Sequence, residues 1–169
     1  LLATPYGRTS AEIHYERIPP RILVEELLVT SDGALPPDVK CHCAYGEVIL
    51  AATLTGRHGN PSSRTECCRS RDGTLLPLRA NLAFGPCPPN AETVPPFWRK
   101  LIEAAERLSR DLPYVRVDAY PLGSRIVIGE LTFTPRAGGR HASADGFIAE
   151  RIVQRWQDRT RRSEVRRRR

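Results

Sequence analysis

Two neighbouring stretches decide the fold: YVRVDAY at positions 114–120 and IVIGELTF at positions 126–133. In the first stretch, apolar and charged residues alternate, which is the two-residue period of a β-strand with one buried face. The second stretch is short, apolar and rich in β-branched residues, so it also predicts a strand. The link between them contains Pro121 and Gly123, which favour a turn. The pair therefore predicts a β-hairpin.

The register of this hairpin would bring charged side chains together. If the hairpin closes around residue 124, Asp118 faces Glu130 and Arg116 faces Thr132. Two carboxylates directly opposite each other, with Cβ atoms roughly 5 Å apart, repel and destabilise a sheet. The pair of Asp118 and Glu130 therefore needs a partner that offsets its charge.

Two kinds of partner would offset that charge. Mg²⁺ takes oxygen ligands from one or two carboxylates together with substrate phosphates, and Arg116 beside it would bind a phosphate. Alternatively, Arg116, Asp118 and Glu130 form a salt-bridge network on a solvated sheet face, as charged surface residues commonly do. Strand alternation predicts that Ile128, Glu130 and Thr132 share this face. The spacing leaves both interpretations open.

These residues also carry a resemblance to a known family. The run VRVD at 115–118, followed by GELTF at 129–133 and Pro135, resembles the metal-binding end of an ATP-grasp ligase. Within that superfamily the chain is most similar to the teichuronopeptide-biosynthesis-like ATP-grasp (amidoligase) proteins. The resemblance implies an α+β module equivalent to the C-terminal subdomain of the ATP-grasp fold, with a mainly antiparallel β-sheet and covering helices.

The resemblance also implies a set of functional residues. Asp118, Glu130 and Thr132 would be the ligands of Mg²⁺, which these enzymes hold against the phosphates of ATP. Thr132 stands where most of the superfamily has asparagine, and the Glu-Leu-Thr-Phe pattern is typical of this subfamily. Arg116 would be catalytic, because a fixed cation stabilises charge that develops in the transition state.

An apolar run, RILVEELLV, occupies positions 21–29. A short run of this kind with valine and isoleucine predicts a buried strand, and on its own it favours a core strand with two surface glutamates. The resemblance instead implies the hinge of the ATP-grasp fold, whose backbone groups bind the adenine edge. It assigns Glu25, Glu26 and Leu28 to the nucleotide.

The segment from 38 to 52 predicts two strands joined by a turn at Tyr45, Gly46 and Glu47. The resemblance implies that Asp38 lies near the ribose of ATP and that Lys40 binds a phosphate or a substrate carboxylate. Arg57, at the end of the second strand, takes the place of a phosphate-binding arginine in the family.

The rest of the chain predicts connecting and covering elements. Residues 56–92 are rich in glycine, proline and serine and predict a long connection with short strands. A helix is expected after Pro95 and Pro96, packed on the sheet that carries Asp118. A last helix is expected at roughly 145–158.

The loop that follows the hairpin contains glycine and basic residues. The resemblance implies that this loop meets the acceptor substrate or the γ-phosphate, with Arg136, Arg140 and His141 as candidates. The chain is therefore expected to divide into an irregular entry segment, an ATP- and Mg²⁺-binding module and an arginine-rich disordered tail, at 1–20, 21–158 and 159–169.

The charge distribution offers a different function. The net charge of +7 invites a nucleic-acid-binding interpretation. Positions 155–169 hold eight arginines and two acidic residues, so this tail carries +6 of that charge and the body is near neutral. The alternative function is therefore a non-catalytic basic protein whose tail binds nucleic acid, although nucleic acid is not the expected partner.

Cysteine content and hydropathy exclude other classes. The five cysteines lack the paired spacing of structural zinc sites, and their odd number predicts reduced thiols in a cytoplasmic protein. No run approaches the ~20 apolar residues of a membrane span. The chain contains no methionine and begins with Leu1, so we expect a fragment or processed product whose N-terminal ATP-grasp half is missing.

The resemblance implies ATP-dependent carboxylate–amine ligation through an acyl phosphate, with ATP and Mg²⁺ as cofactors. The implied partners are a small-molecule or glycopolymer carboxylate and an amine donor. The implied setting is the biosynthesis of a cell-surface polysaccharide or a related cell-wall polymer.

Overall fold

The computed structural model describes residues 21–135 and 143–167, together with Glu12, Tyr15, Ile18 and Pro19. Within these residues, six strands form one sheet and two α-helices pack against it. In chain order the elements are β1 (Asp38–Ala44), β2 (Glu47–Thr55), a 3₁₀ turn (Pro61–Ser63), β3 (Thr65–Arg69), β4 (Leu75–Leu76), α1 (Trp98–Ser109), β5 (Val115–Leu122), β6 (Arg125–Thr132) and α2 (Ser143–Arg167).

Neighbouring strands of the sheet are all antiparallel, in the order β4-β3-β2-β1-β5-β6. The predicted α+β class with a mainly antiparallel sheet is therefore confirmed. Strands β1 and β2 form the predicted hairpin, and its two turn residues, Tyr45 and Gly46, have φ values of 48° and 78°. Positive φ at both central residues is the conformation that the twist of a two-residue hairpin favours.

The β5–β6 hairpin has the predicted pairing, and a bulge is the reason. Leu122 pairs with Arg125 across a two-residue loop, and that register alone would place Asp118 opposite Gly129. The register shifts by one residue after Asp118, so Gly129 is the extra residue of a bulge and Asp118 faces Glu130.

The same bulge corrects a prediction about the faces of β6. Ile128 pairs with Ala119, a member of the apolar cluster under α1, so Ile128 lies on the opposite face from Glu130. Thr132, opposite Arg116, does share the face of Glu130. Simple alternation fails here because one extra residue in a strand reverses the face of everything beyond it.

Helix α1 covers one face of the sheet, as predicted. It begins at Trp98, two residues after Pro96, and it buries Trp98, Leu101, Ile102 and Ala105. These side chains pack on apolar residues of the sheet, namely Val39, Cys41, Cys43, Val48, Ala51, Val115, Val117 and Ala119. This face therefore forms the main hydrophobic core.

Helix α2 covers part of the other face and is longer than predicted. Ala144 and Ile148 pack on Leu50, Ala52 and Cys68 of the sheet. The helix continues to Arg167. The prediction that residues 159–169 are disordered is therefore wrong for residues 159–167. The reason is local, because the sequence beyond Gly146 contains no helix breaker and is rich in good helix formers.

Residues 21–29 do not form the predicted buried strand. The segment has no regular secondary structure, and its apolar side chains are exposed, with relative accessibilities of 82% for Leu23 and 91% for Val24. The physical reason is topological. The chain enters the sheet at β1, whose two edges are already occupied by β2 and β5. The segment that precedes β1 therefore runs along the end of the sheet and cannot join it there.

The long connection after β2 contains the predicted short strands, β3 and β4, and a disulfide that was not predicted. Cys67 is bonded to Cys87, whereas Cys41, Cys43 and Cys68 are free and buried. The expectation that all cysteines are reduced is therefore wrong. Cys67 and Cys68 point to opposite sides of β3, which leaves Cys67 facing the returning loop. In the described part of the chain, no helix is long and apolar enough to cross a membrane.

Candidate functional site

Polar side chains cross the sheet on the face that α2 partly covers. Lys40 on β1 pairs with Asp118 on β5, and Asp118 pairs with Glu130 on β6, so the three side chains share this face. Neighbours on the same face complete a group that we call the polar row: Asp38, Lys40, Arg116, Asp118, Glu130 and Thr132. The row contains every predicted metal ligand and the predicted catalytic arginine.

Asp118 is the centre of the polar row. It is 3% exposed, and both of its carboxylate oxygens accept hydrogen bonds from cations. Arg116 donates from Nε to Oδ1 at 2.6 Å and from Nη2 to Oδ2 at 2.7 Å. Lys40 donates from Nζ to Oδ2 at 2.5 Å. These are charge-assisted bonds, and the arginine pair has the bidentate geometry that makes such bonds strong.

Lys40 connects this aspartate to a second one. Its Nζ lies 3.2 Å from Oδ1 of Asp38, and Nη1 of Arg57 donates to Oδ2 of Asp38 at 2.6 Å. Asp38 is buried, whereas Arg57 is about half exposed. Lys40 therefore has two carboxylate partners, and Asp38 stays paired even when Lys40 turns away from it.

Glu130 joins the row through a hydroxyl group. Oγ1 of Thr132 donates to Oε1 of Glu130 at 2.7 Å and accepts from Nη2 of Arg116 at 3.1 Å. The salt-bridge interpretation is therefore correct for Arg116 and Asp118, while Glu130 is reached through Thr132. Burial lowers the pKa of Arg116, but the hydrogen bond and charge of Asp118 outweigh it and the net shift is upward. Arg116 is thus a permanent cation.

The oxygen atoms of the predicted metal ligands are of the chemical type that binds a hard divalent cation. Asp118, Glu130 and Thr132 present carboxylate and hydroxyl oxygens from adjacent positions on one face, and oxygen ligands are what Mg²⁺ prefers. In the described residues, no group of three or more His, Cys, Asp or Glu side chains forms a metal cluster. A cation here would therefore have two protein carboxylates, and further ligands would come from the hydroxyl, water or phosphate.

A cavity of about 620 Å³ opens beside the polar row. One wall is the extended segment with Glu25, Glu26 and Leu28, and another is formed by Asp38 and Arg57. Five of the six predicted nucleotide-binding residues thus line a single space. The sixth, Lys40, does not line this cavity but contacts Asp38 directly. Further lining comes from residues that sequence analysis did not assign, among them Leu35, Leu54, His58 and Tyr120.

Other polar residues near the row were also not predicted. His42 on β1 lies directly opposite Arg116 on β5, and its Nδ1 lies 2.7 Å from the hydroxyl of Tyr114. Burial raises the pKa of Tyr114, so its hydroxyl stays protonated. Burial and the charges of Glu12 and Glu130 also raise the pKa of Tyr15, so Tyr15 lies near the row. Strand alternation could have indicated His42, which is two residues from Lys40.

The candidates in the loop after the hairpin, Arg136, Arg140 and His141, lie outside the described residues. The prediction that this loop meets the acceptor substrate stays a prediction.

Comparison with known proteins adds one finding. A family described as TupA-like ATPgrasp matches residues 2–152 of the 169. The matched region includes the whole polar row, the residues that line the large cavity and both helices up to residue 152. No curated protein and no solved structure matches the chain. Since the match covers most of the sequence, the chain belongs to the TupA-like ATP-grasp family.

Proposed function

We propose that this protein is an ATP-dependent carboxylate–amine ligase that acts through an acyl phosphate. Membership of an ATP-grasp family supports ATP-dependent ligase chemistry. One observation carries the proposal: a buried aspartate, Asp118, faces a second carboxylate and is held by two cations, next to a cavity of about 620 Å³. A cavity of this size lies in the usual range of small-ligand sites, about 300–1,000 Å³.

In this proposal the large cavity binds ATP. Backbone groups of the segment with Glu25, Glu26 and Leu28 bind the adenine edge, and Asp38 binds the ribose. Lys40 and Arg57 bind phosphate oxygens, because they are the cations nearest the place where the cavity meets the polar row. Arg57 suits this role, since a half-exposed guanidinium can form bidentate bonds to a phosphate.

Mg²⁺ would be held by Asp118, Glu130 and Thr132. When bound, it neutralises negative charge on the phosphates and polarises them toward attack. Asp118 can accept a metal ion because Lys40 has a second carboxylate partner in Asp38, so neither cation nor carboxylate would be left unpaired. Leaving a buried charge unpaired would cost several kcal/mol.

The proposed reaction has two steps. A substrate carboxylate attacks the γ-phosphate of ATP, which gives an acyl phosphate and releases ADP. The amine of the second substrate then attacks the acyl carbon, phosphate leaves and an amide forms. Arg116 is fixed beside Asp118 by two hydrogen bonds, and a fixed cation stabilises negative charge that develops in the transition state.

The substrates we propose are a small-molecule or glycopolymer carboxylate and an amine donor, in the biosynthesis of a cell-surface polymer. We place the reaction in the cytoplasm, because ATP is available there. Nucleic-acid binding by the basic end of α2 is the less favoured candidate. Arg155 forms an ion pair with Glu47, and the guanidinium carbon of Arg159 lies 4.2 Å from the ring centroid of Tyr45. Two arginines of that segment are therefore engaged within the protein.

The test is calorimetric titration of a non-hydrolysable ATP analogue, in Mg²⁺ and in EDTA. We expect the analogue to bind the wild type in Mg²⁺. Its affinity should be at least about tenfold lower in EDTA, which removes the metal, and at least about tenfold lower for Glu130→Gln, which loses one metal–carboxylate contact. Glu130 is exposed, so this variant should fold. Arg57→Gln should weaken binding by a similar factor, through loss of a phosphate contact worth about 1.5–3 kcal/mol.

Glu103→Gln is the matched control, because it removes one carboxylate from the exposed side of α1. It should bind the analogue as the wild type does. Absence of binding to the folded wild type, or equal affinity in Mg²⁺ and EDTA, would contradict the proposal. Binding of an oligonucleotide that is lost in high salt and unchanged in Glu130→Gln would favour the nucleic-acid function.

A further inference from the structure

The hydrogen bonds of Asp118 restrict how it could bind a metal ion. A carboxylate accepts at about four lone-pair positions, and the three bonds from Arg116 and Lys40 occupy all but one of them. The side chains of Lys40 and Asp118 are largely buried, so water screens their charges only in part. A divalent cation that approaches Asp118 therefore meets two positive side chains that already bind the same carboxylate.

The polar row has no surplus of negative charge to attract such a cation. Together with Arg57, the row contains three carboxylates and three cations, namely Asp38, Asp118, Glu130, Lys40, Arg57 and Arg116. A divalent ion on its own would leave an unbalanced positive charge in a mostly buried site, which is costly. The phosphates of a nucleotide would bring compensating negative charge together with the ion.

Of the two cations on Asp118, Lys40 is the one that can leave. Arg116 forms two bonds to Asp118 and a third to Oγ1 of Thr132. Lys40 forms one bond to Asp118, and its Nζ lies 3.0 Å and 3.2 Å from the two carboxylate oxygens of Asp38. Lysine also carries its charge on a flexible stem, whereas a guanidinium is a rigid fork. Lys40 can therefore give up Asp118 and keep a carboxylate partner.

Asp38 is the carboxylate best placed to keep Lys40. Lys40 also lines a cavity of about 110 Å³ whose lining includes Glu66. Glu66 is 1% exposed, but its Oε2 accepts from two backbone amides, each at 3.0 Å, and lies 3.6 Å from Nε of Arg79. The charge of Glu66 is therefore balanced by its own neighbours, whereas Asp38 already contacts Lys40.

We propose, on the basis of the ligase function above, that Lys40 is a cation gate for the metal site. Without a nucleotide, Lys40 holds Oδ2 of Asp118 and keeps divalent cations away from it. When a nucleotide brings Mg²⁺ to the row, the ammonium group of Lys40 exchanges Asp118 for a phosphate oxygen and keeps Asp38. Metal and nucleotide therefore bind together, and a divalent cation alone binds poorly.

The first test removes the charge of Lys40 and measures metal binding without nucleotide. Mn²⁺ is the probe, and its electron paramagnetic resonance reports the free ion. In Lys40→Met, Asp118 keeps Arg116 and Asp38 keeps Arg57, so this variant should fold. We expect Lys40→Met to bind Mn²⁺ at least about tenfold more tightly than the wild type, because one repelling charge next to the ion is gone.

Lys100→Met is the matched control. Lys100 is the only other lysine of the sequence, and it is exposed on α1, with Nζ 2.5 Å from the carbonyl oxygen of Ser124. Its loss removes the same charge away from the row and should leave Mn²⁺ affinity unchanged. Adding Glu130→Gln to Lys40→Met should cancel the gain, since a metal–carboxylate contact is lost.

The ATP analogue in Mg²⁺ should respond to Lys40→Met in the opposite direction. We expect this variant to bind the analogue several-fold less tightly than the wild type, because Lys40 no longer donates to a phosphate. A loss of general structure would weaken both kinds of binding. Tighter metal binding together with weaker nucleotide binding is therefore specific to a gate.

The second test uses the wild type and needs no variant. Lysine labelled with ¹³C gives two side-chain signals, one from Lys40 and one from Lys100. Mg²⁺ alone should leave both signals in place, whereas Mg²⁺ with the ATP analogue should shift the signal of Lys40 only.

Equal Mn²⁺ affinity of the wild type and folded Lys40→Met would overturn the gate. A Lys40 signal that Mg²⁺ alone shifts as far as Mg²⁺ with the analogue would also overturn it, and this measurement decides alone if Lys40→Met does not fold. Mg²⁺-dependent binding of the analogue with equal Mn²⁺ affinities overturns only the gate. A Glu130-dependent gain of Mn²⁺ affinity in a chain that binds no analogue supports the exclusion of metal by Lys40 and overturns only the ligase function.

Discussion

Asp118→Asn is the sharpest test of how the polar row is held together. The amide has the size of the carboxylate but no charge, so the substitution changes electrostatics with little change in packing. Asp118 is buried and accepts three hydrogen bonds from cations. After the substitution Lys40 keeps Asp38, while Arg116 keeps the hydroxyl of Thr132.

The expected cost follows from that imbalance. Removing one partner of a buried ion pair costs about 3–5 kcal/mol, because the remaining charge is left uncompensated. The side chains of Lys40 and Arg116 are 18% and 16% exposed, so water reaches them in part and the lower end applies. We therefore expect the free energy of unfolding to fall by about 3 kcal/mol. At this chain length each kcal/mol lowers Tm by roughly 2–4 °C, so Tm should fall by roughly 6–12 °C.

Urea unfolding followed by circular dichroism measures this loss. Glu103→Gln is the control, because it breaks an ion pair with Arg99 in which both side chains are exposed, and such pairs contribute less than about 1 kcal/mol. A loss below about 1 kcal/mol for Asp118→Asn, with an unchanged m-value, would refute the conclusion that charge holds the row together.

Two further predictions concern stability and reactivity. Gly129→Ala should lower the free energy of unfolding by about 1–2 kcal/mol in the same assay, because the added Cβ would lie 2.6 Å from Cε2 of Tyr120; unchanged stability would contradict the close packing at the bulge. Burial raises the pKa of Cys43 and of Cys68 from 9.0 to about 12. Both thiols should therefore resist a thiol reagent at pH 8 until urea unfolds the chain, and rapid labelling of the folded protein would contradict this expectation. The stability that the two protonated thiols contribute below pH 9 should be lost as the pH rises toward 12.

The hairpin illustrates what periodicity can and cannot predict. Alternation identified both strands, and an assumed centre near residue 124 gave the correct partner for Asp118. The turn is in fact centred between Gly123 and Ser124, and the bulge at Gly129 restores the pairing of Asp118 with Glu130. An isolated glycine inside a strand is a known signal of a bulge, so the sequence contained this information. The face of Ile128 was predicted wrongly because alternation was applied across that glycine.

Residues 21–29 show a different limit. Their composition is that of a buried strand, yet their side chains are exposed. Composition reports what a segment could bury, whereas strand order decides whether an edge is available. That order depends on pairings such as β1 with β5, which are about 78 residues apart along the chain. The family resemblance gave this segment another role, the hinge of the ATP-grasp fold, and that role stays a prediction.

Glu66 could not have been singled out from the sequence. It stands between Thr65 and Cys67 in a segment with no functional motif, and a glutamate in a short strand usually points to solvent. Its burial comes from pairing with β2, and its two amide donors come from a loop 14 and 15 residues away. Each contact depends on tertiary structure, so local pattern gives no sign of a buried, half-satisfied carboxylate.

The central position of β1 explains why polar chemistry is concentrated on one face of the sheet. Lys40 contacts Asp38 on its own strand and Asp118 on the next strand. A residue on an edge strand would have a neighbouring strand on one side only, whereas β1 has β2 on one side and β5 on the other. The same strand also contributes to two cavities: Asp38 lines the one of about 620 Å³, and Lys40 lines a smaller one of about 110 Å³. On the opposite face, alternation places Val39, Cys41 and Cys43 under α1. A substitution at Lys40 would therefore change the lining of the smaller cavity and remove one partner of Asp38 in the larger, whereas a substitution at Val39 or Cys41 would alter the packing under α1.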